Sequence, residues 1–126
     1  MDTYTVRQVY KRHIEEKEYR VYVYFDGDGV PLYVGQSKDV CSRLDFHLGE
    51  GWAGLPSALG EVLRDNRPGS GSWQVHLYES DQQASLEKEL IATLHPALNT
   101  ALSTQSSVSR YVKVDEMQVG LTEGLF

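Results

Sequence analysis

The stretch Val21-Tyr22-Val23-Tyr24-Phe25-Asp26-Gly27-Asp28-Gly29-Val30-Pro31-Leu32-Tyr33-Val34-Gly35 decides how this chain folds. Val21, Val23 and Phe25 alternate with Tyr22 and Tyr24, and Leu32 and Val34 flank Tyr33. A period of two is that of a strand whose successive side chains point to opposite faces, and β-branched and aromatic residues suit that pleated surface. Between the two runs, Asp26-Gly27-Asp28-Gly29 carries two overlapping Asp/Gly turn signals, which predicts an antiparallel hairpin. With Gly27-Asp28 as the loop, Tyr22 lies opposite Tyr33; with Asp28-Gly29, Tyr24 does. In either register the tyrosines share one face, and the valines with Phe25 take the other.

Working outward, Gly35 ends the second strand and Ser37 is placed to N-cap a helix in which Val40, Leu44 and Leu48 form an apolar stripe. Arg43 and His47, four apart, project together beside that stripe, and Cys41 falls on its buried side. A second helix is expected around 57–65, stopped by Asn66-Arg67-Pro68-Gly69, with a third strand at 73–78. Ser80 with Gln83 reads as a capping box for a helix through Leu94, where Leu86, Leu90, Ile91 and Leu94 point inward and Pro96 follows the end. Upstream, Val6, Val9, Tyr10 and Ile14 fit a modest amphipathic helix. The expected architecture is α+β: a small three-stranded antiparallel sheet flanked by helices. An N-terminal helical extension (1–19) precedes the central unit (20–99). A C-terminal extension (100–126) packs on or extends the same domain, with 110–114 as a possible extra strand.

At 126 residues with 40% in the hydrophobic set, the chain is long enough for one domain with a real core. A net charge of −6 argues against a protein held to nucleic acid by its total charge, so any polyanion site must be a local patch. One cysteine excludes an internal disulfide framework. No apolar run reaches the roughly eighteen residues a membrane span needs, and the first residues carry no apolar signal segment. A reducing, cytoplasmic location is therefore expected.

Val21-Tyr22, then Tyr33-Val34-Gly35 after ten intervening residues, Arg43 ten positions beyond Tyr33, and His47 four beyond Arg43 together resemble the GIY-YIG nuclease domain. Leu86-Glu87, Leu90-Ile91, Pro96 and Asn99 resemble that family's closing segment. The likeness spans about 20–99, in the family's order and spacing. Arg20 stands where the family has the glycine of its first triplet, and valines replace both isoleucines. The resemblance implies a phosphodiester hydrolase whose glutamate, here Glu87, holds one divalent ion, Mg²⁺ or Mn²⁺. It also implies DNA as substrate and products ending in 5′-phosphate and 3′-hydroxyl groups.

Elementary chemistry gives the same positions sensible work. Phosphodiester hydrolysis needs an activated water, stabilisation of charge on the phosphoryl oxygens and help for the departing alkoxide. Glu87 suits a single carboxylate ligand, since Mg²⁺ keeps several waters and takes further oxygens from substrate phosphate. Arg43 offers a fixed charge and planar donors for phosphate. Tyr22 is the family's water activator, yet a free phenol has a pKa near 10 and needs a cation or metal to favour its phenolate. His47, with an ordinary pKa near 6.5, is the competing base, or it orients Tyr22 or holds phosphate. Tyr33 would position water or phosphate through its hydroxyl, or serve only as a half-buried strand aromatic.

Lys38, Asn99 and Arg67 are candidate substrate contacts, each with an ordinary structural reading: a solvated lysine at a helix start, closure of the turn after Pro96, and a surface arginine. His13, His76 and His95 are scattered and have no zinc spacing. No nucleophile elbow and no phosphate-binding glycine loop is present. The leading expectation is a metal-dependent DNA endonuclease acting on single-stranded, duplex or branched DNA, as a homodimer or with a DNA-targeting partner. The alternative is a non-catalytic nucleic-acid or protein interaction module on the same scaffold, for which the acidic balance is the best argument.

Overall fold

A computed structural model describes residues 1–50, 54–99 and 126. The elements in chain order are β1 (Asp2–Thr5), α1 (Val6–Tyr10), β2 (Tyr19–Phe25), β3 (Pro31–Gln36), α2 (Val40–His47), α3 (Ala58–Asp65), a 3₁₀ turn at Gly69–Ser72, β4 (Gln74–Glu79) and α4 (Gln83–Leu94). The strands form one four-stranded antiparallel sheet in the order β1-β4-β2-β3. The fold is α+β. Among the described residues no helix is long and apolar enough to cross a membrane.

The N-terminus departs from the helix expected there. Asp2–Thr5 joins the sheet as an added strand, with Thr3 opposite His76 and Tyr4 opposite Val75. Thr3, Tyr4 and Thr5 are good strand residues, and β4 would otherwise be a bare edge. Thr5 then turns the chain into α1 by a reciprocal cap: its hydroxyl accepts from Gln8 N, and the Gln8 side chain accepts from Thr5 N. That helix stops after five residues, and Arg12 takes a left-handed conformation at φ +59°. Ile14 packs on the core from beyond the helix. The extra strand expected at 110–114 lies outside the described residues.

The β2–β3 hairpin uses neither two-residue loop. Gly29 N donates to Asp26 O at 3.1 Å and Asp26 N to Val30 O at 2.9 Å, while Asp26 Oδ1 accepts from Asp28 N and Val30 N, both at 2.9 Å. Gly29 sits at φ +82°, a conformation that costs glycine little and other residues more. The result is a turn with a bulged residue, and the register shifts between Tyr24 and Phe25. Beyond the shift Tyr24 faces Tyr33 and Tyr22 faces Gly35.

The two faces divide as the alternation predicts. Tyr22, Tyr24, Val75 and Leu77 pack with Val6, Val9, Leu44, Leu48, Leu59 and Leu63 of α1, α2 and α3. Val21, Val23 and Val34 form a second cluster against Leu86, Leu90, Ile91 and Leu94 of α4. Two helix starts differ from expectation. The α2 cap is Asp39, whose side chain accepts from Ser42 N and Ser42 Oγ, while Ser37 Oγ caps Asp39 N instead. Likewise, α4 begins at Gln83 without a side-chain cap, and Ser80 Oγ accepts from Gln82 N. In both places the hydroxyl closes a local turn one step before the helix, a competing use of serine.

The segment after α4 seals the open edge of β3. Ala97 N donates to Pro31 O and Leu98 N to Leu32 O. Asn99 completes the edge: its Oδ1 accepts from Val34 N and its Nδ2 donates to Val34 O, both at 2.8 Å. Asn99 thus acts as a strand-edge mimic, the structural role its place after Pro96 allowed. Replacing it with alanine strips two hydrogen bonds from Val34, and we expect a loss of about 1–3 kcal/mol, read as a lower urea midpoint.

Candidate active site

Hairpin register sets the first contact. Because Tyr22 lies opposite Gly35, its phenol lies over a position with no side chain; a Cβ on Gly35 would collide with the Tyr22 ring and hydroxyl. Tyr33 stands beside it on the same face, ring centroids 6.1 Å apart. The α2 helix lowers His47 onto both rings, 5.9 Å from Tyr22 and 5.1 Å from Tyr33 by centroid. The Tyr22 hydroxyl and His47 Nε2 are hydrogen bonded at 2.8 Å.

The other imidazole nitrogen is held from α3. His47 Nδ1 and Ser57 Oγ are 2.6 Å apart, Ser57 N donates to His47 O at 2.9 Å, and Ser57 Oγ also accepts from Gly60 N. Gly60 lets α3 come this close, since a Cβ there would overlap the His47 carbonyl. Neither residue is among the sites expected from sequence. Ser57 reads only as a helix start. The one hint for Gly60 is a glycine inside a helical pattern, which signals close packing without naming the partner.

Burial governs the protonation states. His47 is 7% exposed, and desolvation, aided by the Arg43 charge, lowers its pKa to about 4. The imidazole is therefore neutral at pH 7 and carries one proton, so one ring nitrogen donates while the other accepts. Tyr22 is pushed up by burial and then by Tyr33, with Arg43 opposing and Glu87 adding to the rise. Tyr33 rises through burial and Glu87, again against Arg43. The resting site thus holds two neutral phenols and a neutral imidazole, with one cation and one carboxylate near enough to be felt by both tyrosines. In the tautomer whose Nε2 is bare, His47 accepts the Tyr22 proton and Nδ1–H donates to Ser57.

Arg43, one turn before His47, is exposed, and its guanidinium carbon lies 5.5 Å from the Phe46 ring centroid. Glu87, half-buried on α4, accepts from the Gln36 side chain at 3.2 Å. Lys38 shares a groove of about 520 Å³ with Ser37, Asp39, Ser42, Arg43 and Phe46. Arg67 lies elsewhere: it follows α3, at the end remote from Ser57 by the roughly 12 Å length of an eight-residue helix. The structure thus gathers Tyr22, Tyr33 and His47, sets Arg43 and Glu87 within electrostatic reach, and places Lys38 alongside. Asn99 is bonded to the backbone of Val34, next to Tyr33, and Arg67 follows the far end of α3.

Among the described residues no three His, Cys, Asp or Glu side chains gather into a metal cage. A lone Glu87 carboxylate is nevertheless a fitting donor for a hard ion such as Mg²⁺, which binds through one or two carboxylates with water and phosphate as the other ligands. Cys41 is a free, buried thiol on the core side of α2, as its place in the stripe predicts.

Comparison with known proteins adds no identification: no family model matches the chain, and neither the curated proteins nor the solved structures gave a significant match.

The His47 shift has a consequence for stability. Its folded pKa of about 4 lies below the ordinary 6.5, so between these values the unfolded chain binds the proton and the folded chain does not. Stability is therefore lost as pH falls through this window, by roughly 3 kcal/mol for this group. Urea unfolding at a series of pH values between 7 and 4 reads the slope, and His47→Gln flattens it. An unchanged slope in His47→Gln would assign the loss to other groups.

Proposed function

We propose that this chain is a divalent-metal-dependent nuclease, a DNA endonuclease of the GIY-YIG kind leaving 5′-phosphate and 3′-hydroxyl ends. The observation that carries the reading is the 2.8 Å contact between the Tyr22 hydroxyl and neutral His47, beside Arg43 and Glu87. A water hydrogen-bonded to Tyr22 would give up its proton to the phenol oxygen as it attacks phosphorus, the phenol would pass its own proton to His47 Nε2, and the P–O3′ bond would break with the departing 3′-oxygen taking a proton from solvent. His47 takes that charge while Ser57 keeps the ring in place. Arg43 meets the negative charge that builds on the phosphoryl oxygens. Tyr33 orients water or phosphate through its hydroxyl, and Lys38 extends the anion contact. The ion that Glu87 would hold supplies Lewis-acid stabilisation when bound.

The free, buried Cys41 accords with a reducing cytoplasmic setting. A net charge of −6 favours help from a second copy or a DNA-targeting partner.

The test is incubation with defined single-stranded, duplex and branched DNAs plus Mg²⁺ or Mn²⁺. Wild type should cut, and Arg43→Ala and Glu87→Ala should each lose about 100-fold or more in rate, with unfolding midpoints near wild type because neither side chain is buried. Cutting that survives both substitutions would assign it to a contaminant or another site. DNA binding without any cutting would favour the non-catalytic module.

A further inference from the structure

The groove beside Arg43 contains a feature that phosphate chemistry does not require. Phe46 is 37% exposed, one of three large exposed apolar side chains among the described residues, with Met1 and Leu55. It lies on the α2 face that also carries Ser42 and Arg43, and together with Lys38 these line a groove of about 520 Å³. An aromatic ring next to two cations and two hydroxyls, Ser37 and Ser42, matches the composition of a nucleotide: a flat π-face for the base and positive charge for the phosphates.

We propose that this groove takes one unpaired nucleotide next to the scissile phosphate, its base on Phe46 and its phosphates between Lys38 and Arg43, so that single-stranded DNA or an unpaired flap is the preferred substrate. The inference deepens the nuclease reading and rests on it for the position of the scissile bond. Two features favour an unpaired base over a duplex. An unpaired, unstacked base has a face to lay against the partly exposed Phe46 ring, whereas the bases of a duplex are stacked on one another. The overall charge of −6 leaves little general attraction for the denser charge of a duplex.

Asp39 is the one carboxylate in the groove. Both its oxygens serve the start of α2, accepting from Ser42 N and Ser42 Oγ, so the negative charge is turned toward its own helix. Arg43 already stacks near the Phe46 ring, and a base entering here would meet a stacked cation and ring together, a favourable surface for a nucleobase.

The experiment measures binding apart from cutting. In a full-length Glu87→Gln background with Mg²⁺, affinity is measured for a short single-stranded oligonucleotide carrying a fluorescent adenine analogue and for the same sequence as a duplex. Single-stranded DNA should bind more tightly and its fluorescence should be quenched by stacking. Phe46→Ala should weaken single-strand binding by about tenfold or more, abolish the quenching and leave duplex binding unchanged. Phe46→Trp should restore both. Lys38→Ala should weaken both DNAs and lower the salt slope by about 1.

Equal affinity of the parent protein for the two DNAs, equal losses for them in Phe46→Ala, or no loss at all would overturn the proposal. So would a Phe46→Ala substitution that leaves binding and quenching normal in the Glu87→Gln background while lowering the cutting rate of the protein that keeps Glu87, since Phe46 would then act by positioning Arg43. Phe46-dependent binding with no cleavage by wild type keeps this groove and removes the nuclease reading. Cleavage with no Phe46 dependence does the reverse.

Discussion

If the proposed nuclease mechanism holds, Tyr22→Phe is expected to retain the fold and to cut DNA at least about 100-fold more slowly, because it removes the hydroxyl bonded to His47 that would relay the proton of the attacking water. The ring remains, so packing against Tyr24, Tyr33 and the Gly35 gap is preserved. The loss should fall on the turnover number rather than on DNA binding, which the proposal assigns to Arg43 and Lys38. A stability loss of about 1–3 kcal/mol accompanies it, since a buried imidazole nitrogen is left without its partner. Single-turnover cleavage and equilibrium binding on the same oligonucleotide separate the two effects. A Tyr22→Phe rate within a few-fold of wild type would place water activation elsewhere and leave His47 as an unassisted base.

The largest effect on stability is expected from Gly60→Ala. Glycine to alanine inside a helix ordinarily stabilises by up to about 1 kcal/mol, so the sign itself is the test. At this position the added Cβ would overlap the His47 carbonyl oxygen and carbon. Backbone cannot rotate aside as a side chain can, so α3 must back away from α2. That motion breaks the Ser57 N to His47 O bond and the Ser57 contact to His47 Nδ1. A net loss of about 3 kcal/mol or more is expected, read as a fall in the urea midpoint at unchanged slope, with cleavage reduced as well because His47 loses its clamp. A stabilised Gly60→Ala protein would mean that the two helices do not meet here.

Much of the fold was legible because its signals are local. The tyrosine and valine faces followed from a period of two, and the stripe Val40, Leu44, Leu48 from a helical period. Both depend only on how backbone geometry orders neighbouring side chains. Helix starts were less legible. Ser37 and Ser80 have the right chemistry for a cap, but their hydroxyls close a turn before the helix, and Asp39 caps α2 because its carboxylate reaches Ser42 N and Ser42 Oγ at once. The N-terminal strand was hidden for another reason. Residues 1–20 contain helix-spaced apolar side chains, but the otherwise bare edge of β4, far along the chain, draws Asp2–Thr5 into the sheet, Asp2 opposite Leu77 and Thr5 opposite Gln74.

The candidate site divides the same way. By themselves the residues determined that this is one α+β unit with a tyrosine-bearing hairpin followed by a helix presenting Arg43 and His47, because alternation, turn chemistry and helical spacing act over a few residues. Only the tertiary structure decided that Asp26 and Gly29 set the register pairing Tyr22 with Gly35, that Ser57 and Gly60 clamp His47 beneath Tyr22, and that Asn99 seals the β3 edge. Those contacts join residues 10, 25 and 65 positions apart. They depend on how closely whole helices and strands approach one another, a distance set by packing volumes across the molecule and not by any pattern along the chain.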